Sequence, residues 1–317
     1  MKILQMIASE EFIFTSLSLT IPILFAAMAA LVSEKAGISN INIEGSMSVS
    51  ALVGALISFY CKSWVLGCIA GIATGVIMGM ILSYCAHKLK TDSILAGIAL
   101  NIFATGFVVF LMYAVVGSKG DTTDAPSTQV PYLNVPYLKD IPFIGILFRQ
   151  NLLFYVVIVS VAIVAFMLKR TKLGLRIKSV GYNPIAARSV GVNNELTQFY
   201  ALVIAGIFAG LGGVFLSMSY LSTFNSGMVA GRGFIGLAAE AMGAGNPWLV
   251  MLFSYLFGAV SAFSIEAQTR LNVPYELLNT LPYLMTIFAL ILYSMKNNAK
   301  VKIVKEVKKD ESMGKRI

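Results

Sequence analysis

Charged side chains are scarce in this sequence. Only 12% of its 317 residues are Asp, Glu, Lys or Arg, against about 25% in an ordinary soluble domain. In contrast, 57% are hydrophobic, and the mean hydropathy is +0.80. A soluble domain of this length would need more charge to cover its surface, so the composition predicts an all-α membrane protein that crosses the bilayer several times.

Residue types that carry covalent or metal chemistry are also few. The single histidine, His87, lies in a predicted turn beside Lys88, so a catalytic triad of nucleophile, histidine and acid is not indicated. The three cysteines, Cys61, Cys68 and Cys85, have neither CxxC spacing nor a histidine at metal-ligand spacing, so no disulfide framework or metal site is indicated. No GxxxxGKS/T phosphate loop occurs, so this chain alone does not hydrolyse ATP. We expect a non-enzymatic membrane subunit that binds no cofactor of its own.

Long apolar runs fill most of the chain. A helix needs about 20 mostly apolar residues to cross the hydrocarbon of a bilayer. On that template we predict about nine spans, within a range of eight to ten, at 12–32, 45–61, 64–86, 93–116, 152–168, 197–217, 232–245, 247–266 and 280–295. The segments 45–61 and 232–245 are short and rich in glycine, which predicts two interrupted helices.

Basic residues cluster in a few predicted loops. Eight Lys or Arg follow Ser294, and six more lie between residues 169 and 188, so the positive-inside rule predicts that both segments are cytoplasmic. Counting the spans back places His87, Lys88 and Lys90 on the same side. The loop 117–150 has no cationic excess and is predicted to be outside. The net charge of +9 therefore indicates topology rather than nucleic-acid binding.

The first four and the last four predicted spans follow a similar order: a long helix, a polar break, a short glycine-containing segment and two further spans. The breaks read "SEKAGISNINIEGSM" and "SYLSTFNSGMVAGRGF". One linking helix, 152–168, returns the second half to the opposite side, which predicts an inverted repeat. Its alternative is a helical bundle with two accidental kinks. The predicted units are a transmembrane domain of residues 1–296, containing repeat one at about 12–116 and repeat two at about 197–295, and a basic cytoplasmic tail at 297–317.

Polar residues near the two breaks are candidates for a transport pathway, because unwound backbone at membrane depth must be buried in protein or line a cavity. An ionisable group inside a bilayer costs at least ~2.5 kcal/mol, so Glu44 either lines the pathway or stabilises a helix N-terminus. Asn101 either binds the solute or joins two helices, and two phenylalanines are candidates for stacking on a flat ring. The predicted pathway residues are Asn40, Asn42, Glu44, Ser46, Asn101, Phe103, Phe224, Asn225, Arg232 and Glu240.

The cytoplasmic segment 169–196 is long for a turn between helices and has a helix signal of its own. Asn183 and Pro184 are typical of a helix start, "IAARSV" continues it, and Gly191 ends it. We predict a short helix bounded by the glycines at 181 and 191, which a partner protein could grip. The alternative is a solvated basic loop that serves topology alone. The residues of this predicted contact are Gly181, Asn183, Pro184, Ala186, Ala187, Arg188 and Gly191.

Three ordered motifs carry a family resemblance: "SEKAGISNINIEGSM", "GYNPIAARSVGV" and the run "AGIFAGLGGVFLSMSYLSTFNSGMVAGRGFIGLAAEAMGAGNPW". Together, and over about residues 16–295, they resemble the permease subunits of bacterial ABC importers in the ribose and branched-chain amino acid group. Within that group the sequence is most similar to the nucleoside and simple-sugar permeases. It departs from their pattern at Asn42, Ser46, Glu240 and Ala244, close to the predicted pathway.

The resemblance implies a heteromeric importer in the bacterial cell membrane, in which residues 181–191 would be the helix that couples the chain to its ATPase. Its expected partners are a paralogous permease subunit, a cytoplasmic ATPase with two nucleotide-binding halves that uses ATP and Mg, and an extracytoplasmic solute-binding lipoprotein. The expected solute is a nucleoside, with a ribose-type sugar as the alternative. A self-contained secondary transporter or channel is the runner-up from another class; the coupling-helix signal and the scarcity of buried acids favour the ATP-driven importer.

Overall fold

The computed structural model describes residues 9–133, 145–271, 280–282, 284–288 and 291, and within these ranges the chain is predominantly helical. The labelled helices are α1 (Glu10–Lys35), α2 (Ile43–Cys61), α3 (Trp64–His87), α4 (Ser93–Val116), α5 (Leu152–Arg170), α6 (Lys172–Tyr182), α7 (Pro184–Ser189), α8 (Asn194–Phe215), α9 (Arg232–Gly243) and α10 (Pro247–Leu271). A π-helical turn, Leu216–Tyr220, extends α8.

Seven helices in the described ranges are long and apolar enough to cross a membrane: α1 to α5, α8 with its π-helical turn, and α10. The predicted span 232–245 is wrong, since α9 has 12 residues and at 1.5 Å per residue reaches only about 18 Å. The segment predicted as an interrupted helix at 45–61 belongs to one continuous helix of 19 residues. The predicted span 280–295 falls partly outside the described residues; those described within it, 280–282, 284–288 and 291, are helical.

Two long helices, α1 and α8, form the centre of the bundle. In each of them 72% of the most apolar stretch is buried inside the protein, whereas in α4 the corresponding share is 22%. The core around α1 includes Phe25, Met28 and Leu31, which contribute to one cluster with Phe208 and Val214 of α8. Among the remaining spans, α2 is buried almost as fully, at 67%, whereas α4 lies at the rim.

Glycines allow α3 to approach α8 closely. A Cβ atom added to Gly75 would collide with the carbonyl oxygen of Gly206, and one added to Gly210 would lie 2.9 Å from Ile72 Cα. Small residues at a helix contact let two backbones come together and gain van der Waals packing, which is the main attraction between helices in lipid. This contact holds the first half of the chain against the second.

The two ends of the bundle differ in composition. At one end, which we call the basic end, His87 Nε2 lies 2.9 Å from Gln198 Oε1, and Gln198 Nε2 donates to the carbonyl of Ala36 at 3.0 Å. The ends of α1 and α3 therefore meet the start of α8 there, beside α6 and α7. At the opposite end, the loop end, residues 117–133 cross α2 and α8: Thr128 N donates to Ser58 Oγ at 3.2 Å. Loops predicted to share a side thus meet at the same end.

Two non-helical segments separate neighbouring helices inside the bundle. The first break, residues 36–42, turns back from the basic end between α1 and α2, and Gly37 has a φ of 76°. The second break, residues 221–231, turns back from the loop end between the π-helical turn and α9, and ends on Gly231 at φ 74°. Left-handed backbone of this kind favours glycine because a Cβ atom would be strained. Both predicted breaks are confirmed as chain reversals, although they lie between helices and not within a single helix.

Candidate transport site at the paired helix starts

The start of α2 lies well inside the bundle. Asn42, the residue before α2, donates from Nδ2 to the carbonyl of Met78 at 3.4 Å. Met78 precedes His87, the last residue of α3, by nine positions, which is roughly 13 Å along the helix. Helix α2 therefore begins about a third of the way into the membrane. At that depth little water is available to bind the first backbone N–H groups of the helix, which have no partner within it.

Glu44, in the first turn of α2, joins this helix to the start of α9. Its Oε1 accepts a hydrogen bond from Gly231 N at 2.8 Å, and its Oε2 accepts one from Gly233 N at 2.7 Å. The first amides of a helix have no partner within the helix, and the helix dipole favours a carboxylate at that position. We call this pair of bonds the Glu44 clamp. Of the two roles considered for Glu44, the geometry shows the stabilising of a helix N-terminus, and that helix is α9 of the other half; its role toward a solute stays a prediction.

Glycine at position 233 makes the clamp possible. A Cβ atom added there would lie 2.8 Å from both Glu44 Cα and Glu44 N, and 2.7 Å from Oε2. Real Cβ atoms are not found so close to backbone, so a larger residue would separate α9 from α2. Of the "GRG" sequence, the predicted pathway residues include Arg232 but not the two glycines, Gly231 and Gly233, that contact Glu44.

The start of α2 is held by a side chain from α4. Asn101 Oδ1 accepts from Gly45 N at 2.8 Å, and Asn101 Nδ2 donates to the carbonyl of Ile41 at 2.9 Å. The side-chain amide of Asn101 therefore binds one backbone group in the first break, Ile41 O, and one in the first turn of α2, Gly45 N. Of the two roles considered for Asn101, the geometry shows that it joins α4 to the start of α2. Its role toward a solute stays a prediction.

Two buried amide oxygens lie in the first break. Asn42 Nδ2 also donates to Ser46 Oγ at 3.0 Å. The Oδ1 atoms of Asn40 and Asn42 are buried and have no hydrogen-bond partner within the described chain. Buried polar atoms usually have partners, so these two acceptors mark a place where water or a polar solute would be favoured.

The second break is held from the loop end. Phe224 N donates to Thr122 Oγ1, and Thr122 N donates to Phe224 O, both at 2.9 Å. Asn225 pairs with Asp121 in an isolated antiparallel bridge. Arg232 donates from one terminal nitrogen, Nη1, to the carbonyls of Met228 and Val229 at 2.7 and 3.1 Å. The guanidinium therefore steadies the end of the second break.

The remaining predicted pathway residues lie apart from the clamp. Phe103 is 54% exposed on α4 and stacks on Phe107 with ring centroids 5.3 Å apart, so it faces away from the bundle. Phe224 is fully buried. Glu240 is buried near the far end of α9, within electrostatic reach of Glu34 and Lys35, and is about 12 Å along the helix from Arg232.

The short helix predicted to start at Asn183 and Pro184 is present as α7, and its role in coupling stays a prediction. Asn183 Oδ1 accepts from the amides of Ile185 and Ala186 at 3.1 Å each, and Pro184 occupies the first helical position. Gly191 follows the helix with a φ of 85°. The side chains of Ile185 and nearby Tyr182 are 82% and 83% exposed. The helix thus presents apolar surface outside the bundle at the basic end.

Gly181 does not bound this helix as predicted; it lies inside α6. A Cβ atom at Gly181 would collide with the carbonyl of Lys35 and lie 3.1 Å from Gly37 N. The absence of a side chain therefore lets α6 pack directly on the start of the first break. This places α6, which α7 directly follows, in contact with the segment that leads to Glu44.

Seven apolar spans, two helix starts that meet inside the bundle and an exposed short helix at one end are features of a membrane transport protein. The chain matches the branched-chain amino acid transport system permease component family over residues 12–290, and it belongs to that family.

Curated relatives agree with this assignment, and one solved structure shares the fold. The nucleoside ABC transporter permease protein NupC of Lactococcus lactis is 31% identical, covering 92% of both chains. The guanosine ABC transporter permease protein NupQ of Bacillus subtilis is 30% identical, covering 85% of this chain and 87% of its own. The putative glucose ABC transporter permease protein TsgC13 of Haloferax volcanii is 29% identical, covering 89% and 90%. The structure of PsaBC from Streptococcus pneumoniae has the same fold, with a TM-score of 0.52 at 13% identity and coverage of 88% and 90%.

Proposed function

We propose that this chain is the permease subunit of an ATP-driven importer, and that the paired starts of α2 and α9 form part of the pathway for a small polar solute, most favourably a nucleoside. The observation that carries the proposal is the Glu44 clamp, with its bonds of 2.8 and 2.7 Å to Gly231 and Gly233. These two hydrogen bonds join the helix starts inside the bundle. Breaking them would separate α2 from α9 and open a path between them, while every span keeps its own helical hydrogen bonds.

The surroundings of the clamp suit an uncharged hydrogen-bonding solute. The first break offers the buried oxygens of Asn40 and Asn42, and the second break offers hydroxyls, an amide and exposed backbone. Acceptors of this kind match the amine and hydroxyl donors of a nucleoside. The names of NupC and NupQ support the nucleoside, and that of TsgC13 supports a simple sugar as the second candidate.

The direction of the chain supports an inverted repeat. Helix α1 ends at the basic end and α8 ends at the loop end, yet each is followed by a break that leads back into the bundle to the start of the next helix. Discontinuous helices at matching positions of two inverted units commonly form the substrate site in transporters. We place the basic end, α7 and the C-terminal tail in the cytoplasm.

Energy for transport reaches the chain through α7. The contact of Gly181 with Lys35 and Gly37 offers a route from the exposed helix to the first break. A cytoplasmic ATPase with two nucleotide-binding halves, using ATP and Mg, would dock on α7, and this chain would take no part in hydrolysis. A paralogous permease, as in the pair NupC and NupB of Lactococcus lactis, and a solute-binding lipoprotein would complete the importer.

Uptake by the assembled complex tests this function. The complex would be reconstituted in vesicles with ATP inside, and labelled guanosine, glucose and leucine would be supplied with the binding protein. We expect ATP-dependent uptake of guanosine. A complex with an inactive ATPase is the control, and uptake of leucine alone would refute the proposal.

A further inference from the structure

A groove of about 610 Å³ separates α3 from the start of α8 at the basic end. Its walls are apolar and include Ile77, Ile81 and Tyr84 of α3 and Leu196 and Phe199 of α8. Ile77 and Tyr84 are 51% and 58% exposed, although both helices are membrane spans. The walls therefore face the bilayer.

The mouth of this groove is polar and carries one charge of each sign. Lys88, directly after α3, and Glu195, in the first turn of α8, both line it and are both exposed. His87 also lines the mouth, but its ring nitrogens already lie 2.8 Å from Ser83 O and 2.9 Å from Gln198 Oε1. The charges available to a ligand are thus one ammonium and one carboxylate.

The groove has the same polarity as a lipid. Lys88 lies at the end of the span, where a headgroup would be, and Ile77 lies eleven residues earlier, or roughly 16 Å deeper along the helix. Tyr84 lies between them, and tyrosine is favoured at the membrane–water interface. An amphiphile whose head is at Lys88 would therefore lay its acyl chain along the apolar walls.

We propose that this groove binds a zwitterionic phospholipid whose headgroup carries a primary ammonium, with the phosphate on Lys88 and the ammonium on Glu195. Phosphatidylethanolamine has this headgroup. Phosphatidylglycerol supplies the phosphate but no cation for Glu195. Phosphatidylcholine has a cation without N–H donors, so it makes no hydrogen bond to the carboxylate.

Lipid binding to the purified complex tests the proposal without reference to transport. The delipidated complex would be titrated with each of the three lipids, and bound lipid would be counted by native mass spectrometry. We expect phosphatidylethanolamine to bind about fivefold more tightly than either of the others, the ratio for about 1 kcal/mol. Glu195→Gln should abolish this preference, and Lys88→Gln should weaken phosphatidylethanolamine and phosphatidylglycerol alike.

Two further variants sharpen the test. Lys90→Gln removes a nearby exposed cation that does not line the groove, and it should leave lipid binding unchanged. Ile81→Trp fills the apolar part and keeps both charges, so it should displace the lipid. The proposal would be overturned by equal or tighter binding of phosphatidylglycerol, by an unchanged preference in Glu195→Gln, or by a complex that retains no lipid because its partner permease covers the groove.

Discussion

The two breaks serve the same geometric purpose but are held in different ways. The first break is fixed by side chains of the spans themselves, since Asn101 binds Gly45 and Ile41 and Asn42 binds Met78. The second break is fixed by the loop-end segment, through Thr122 and the pairing of Asp121 with Asn225. One break is therefore built into the membrane bundle and the other depends on a loop outside the spans.

The two breaks therefore contact opposite ends of the bundle. At the basic end, Gly181 of α6 lies against Gly37 of the first break. At the loop end, Thr122 accepts the hydrogen bond from Phe224 N in the second break. Because the Glu44 clamp joins the starts of the two helices that follow the breaks, we expect a displacement at either end to alter this pair of hydrogen bonds.

The largest effect is expected from Gly233→Val. Its Cβ atom would lie 2.8 Å from the Glu44 backbone, so α9 cannot keep its position against α2. Overpacking of this kind typically costs about 1–3 kcal/mol, and here it also separates both clamp bonds. We expect uptake by the assembled importer to be lost and the complex to unfold at a lower temperature.

Gly106→Val is the matched control for this variant. A Cβ atom at Gly106, on the exposed side of α4, would meet no atom within 4 Å, so uptake should be normal. Normal uptake in Gly233→Val would show that the contact between the two helix starts is dispensable.

Glu44→Gln tests the charge of the clamp with its shape retained. In the variant only one side-chain oxygen can accept a hydrogen bond from Gly231 N or Gly233 N. The NH₂ group that replaces the other oxygen is a donor and faces a second donor, the remaining backbone N–H. Hydrogen bonds to a charged group contribute about 1.5–3 kcal/mol, so we expect normal membrane insertion and assembly but uptake lowered about tenfold or more. Immunoblotting, co-purification and uptake of the labelled solute would be measured together.

Glu10→Gln is the control for Glu44→Gln, because Glu10 is an exposed acid at the start of α1. It should leave all three measurements unchanged. A parallel fall in expression and uptake of Glu44→Gln would make Glu44 structural. If neither changed, the function of the breaks would depend on their asparagines and backbone.

The sequence predicted the local features of the site better than their partners. Asn183, Pro184 and Gly191 carry conformational signals that act within a few residues, and the helix they delimit is present. Glu44 was recognised as an unusual acid, but its partners lie 187 and 189 positions away along the chain. No local pattern specifies such a contact, because it results from how the two halves pack.

Span counting failed for a related reason. Hydropathy does not separate a full span from a short apolar helix that other helices enclose, and α9 is enclosed by α1 and α10. The two glycine-rich segments therefore looked alike in sequence, although α2 has 19 residues and α9 has 12.

The coupling helix gives a third test, of the input to the first break. Ala187 is the buried residue of α7, at 3% exposure, whereas the neighbouring Arg188 is exposed. Ala187→Asp would place a carboxylate in a buried position and displace the helix, and Arg188→Glu would reverse the charge offered to the ATPase. We expect ATP hydrolysis to persist while the amount of solute transported per ATP falls several-fold. A fall of that size corresponds to a loss of about 1 kcal/mol of coupling free energy between the ATPase and the pathway.

Lys62→Glu makes the same charge reversal as Arg188→Glu, but between α2 and α3 at the loop end. It should leave the solute moved per ATP unchanged. If both α7 variants transported solute with the coupling of the unmodified complex, α7 would not transmit ATPase motion.

The smallest effects, and the sharpest comparison of the two breaks, come from Asn101→Leu and Thr122→Val. Asn101→Leu removes two hydrogen bonds and leaves Gly45 N and Ile41 O without partners, whereas Thr122→Val removes one, from Phe224 N, and retains the backbone bond from Thr122 N to Phe224 O. Each unsatisfied buried group costs about 1–3 kcal/mol, so Asn101→Leu should lower the unfolding temperature of the purified complex about twice as much as Thr122→Val. If Asn101 only joins helices, the KM for uptake should stay unchanged in Asn101→Leu while the maximal rate falls with stability. A raised KM would instead make Asn101 a contact of the solute, and equal loss of stability in the two variants would remove the distinction between a break held by the spans and a break held by the loop.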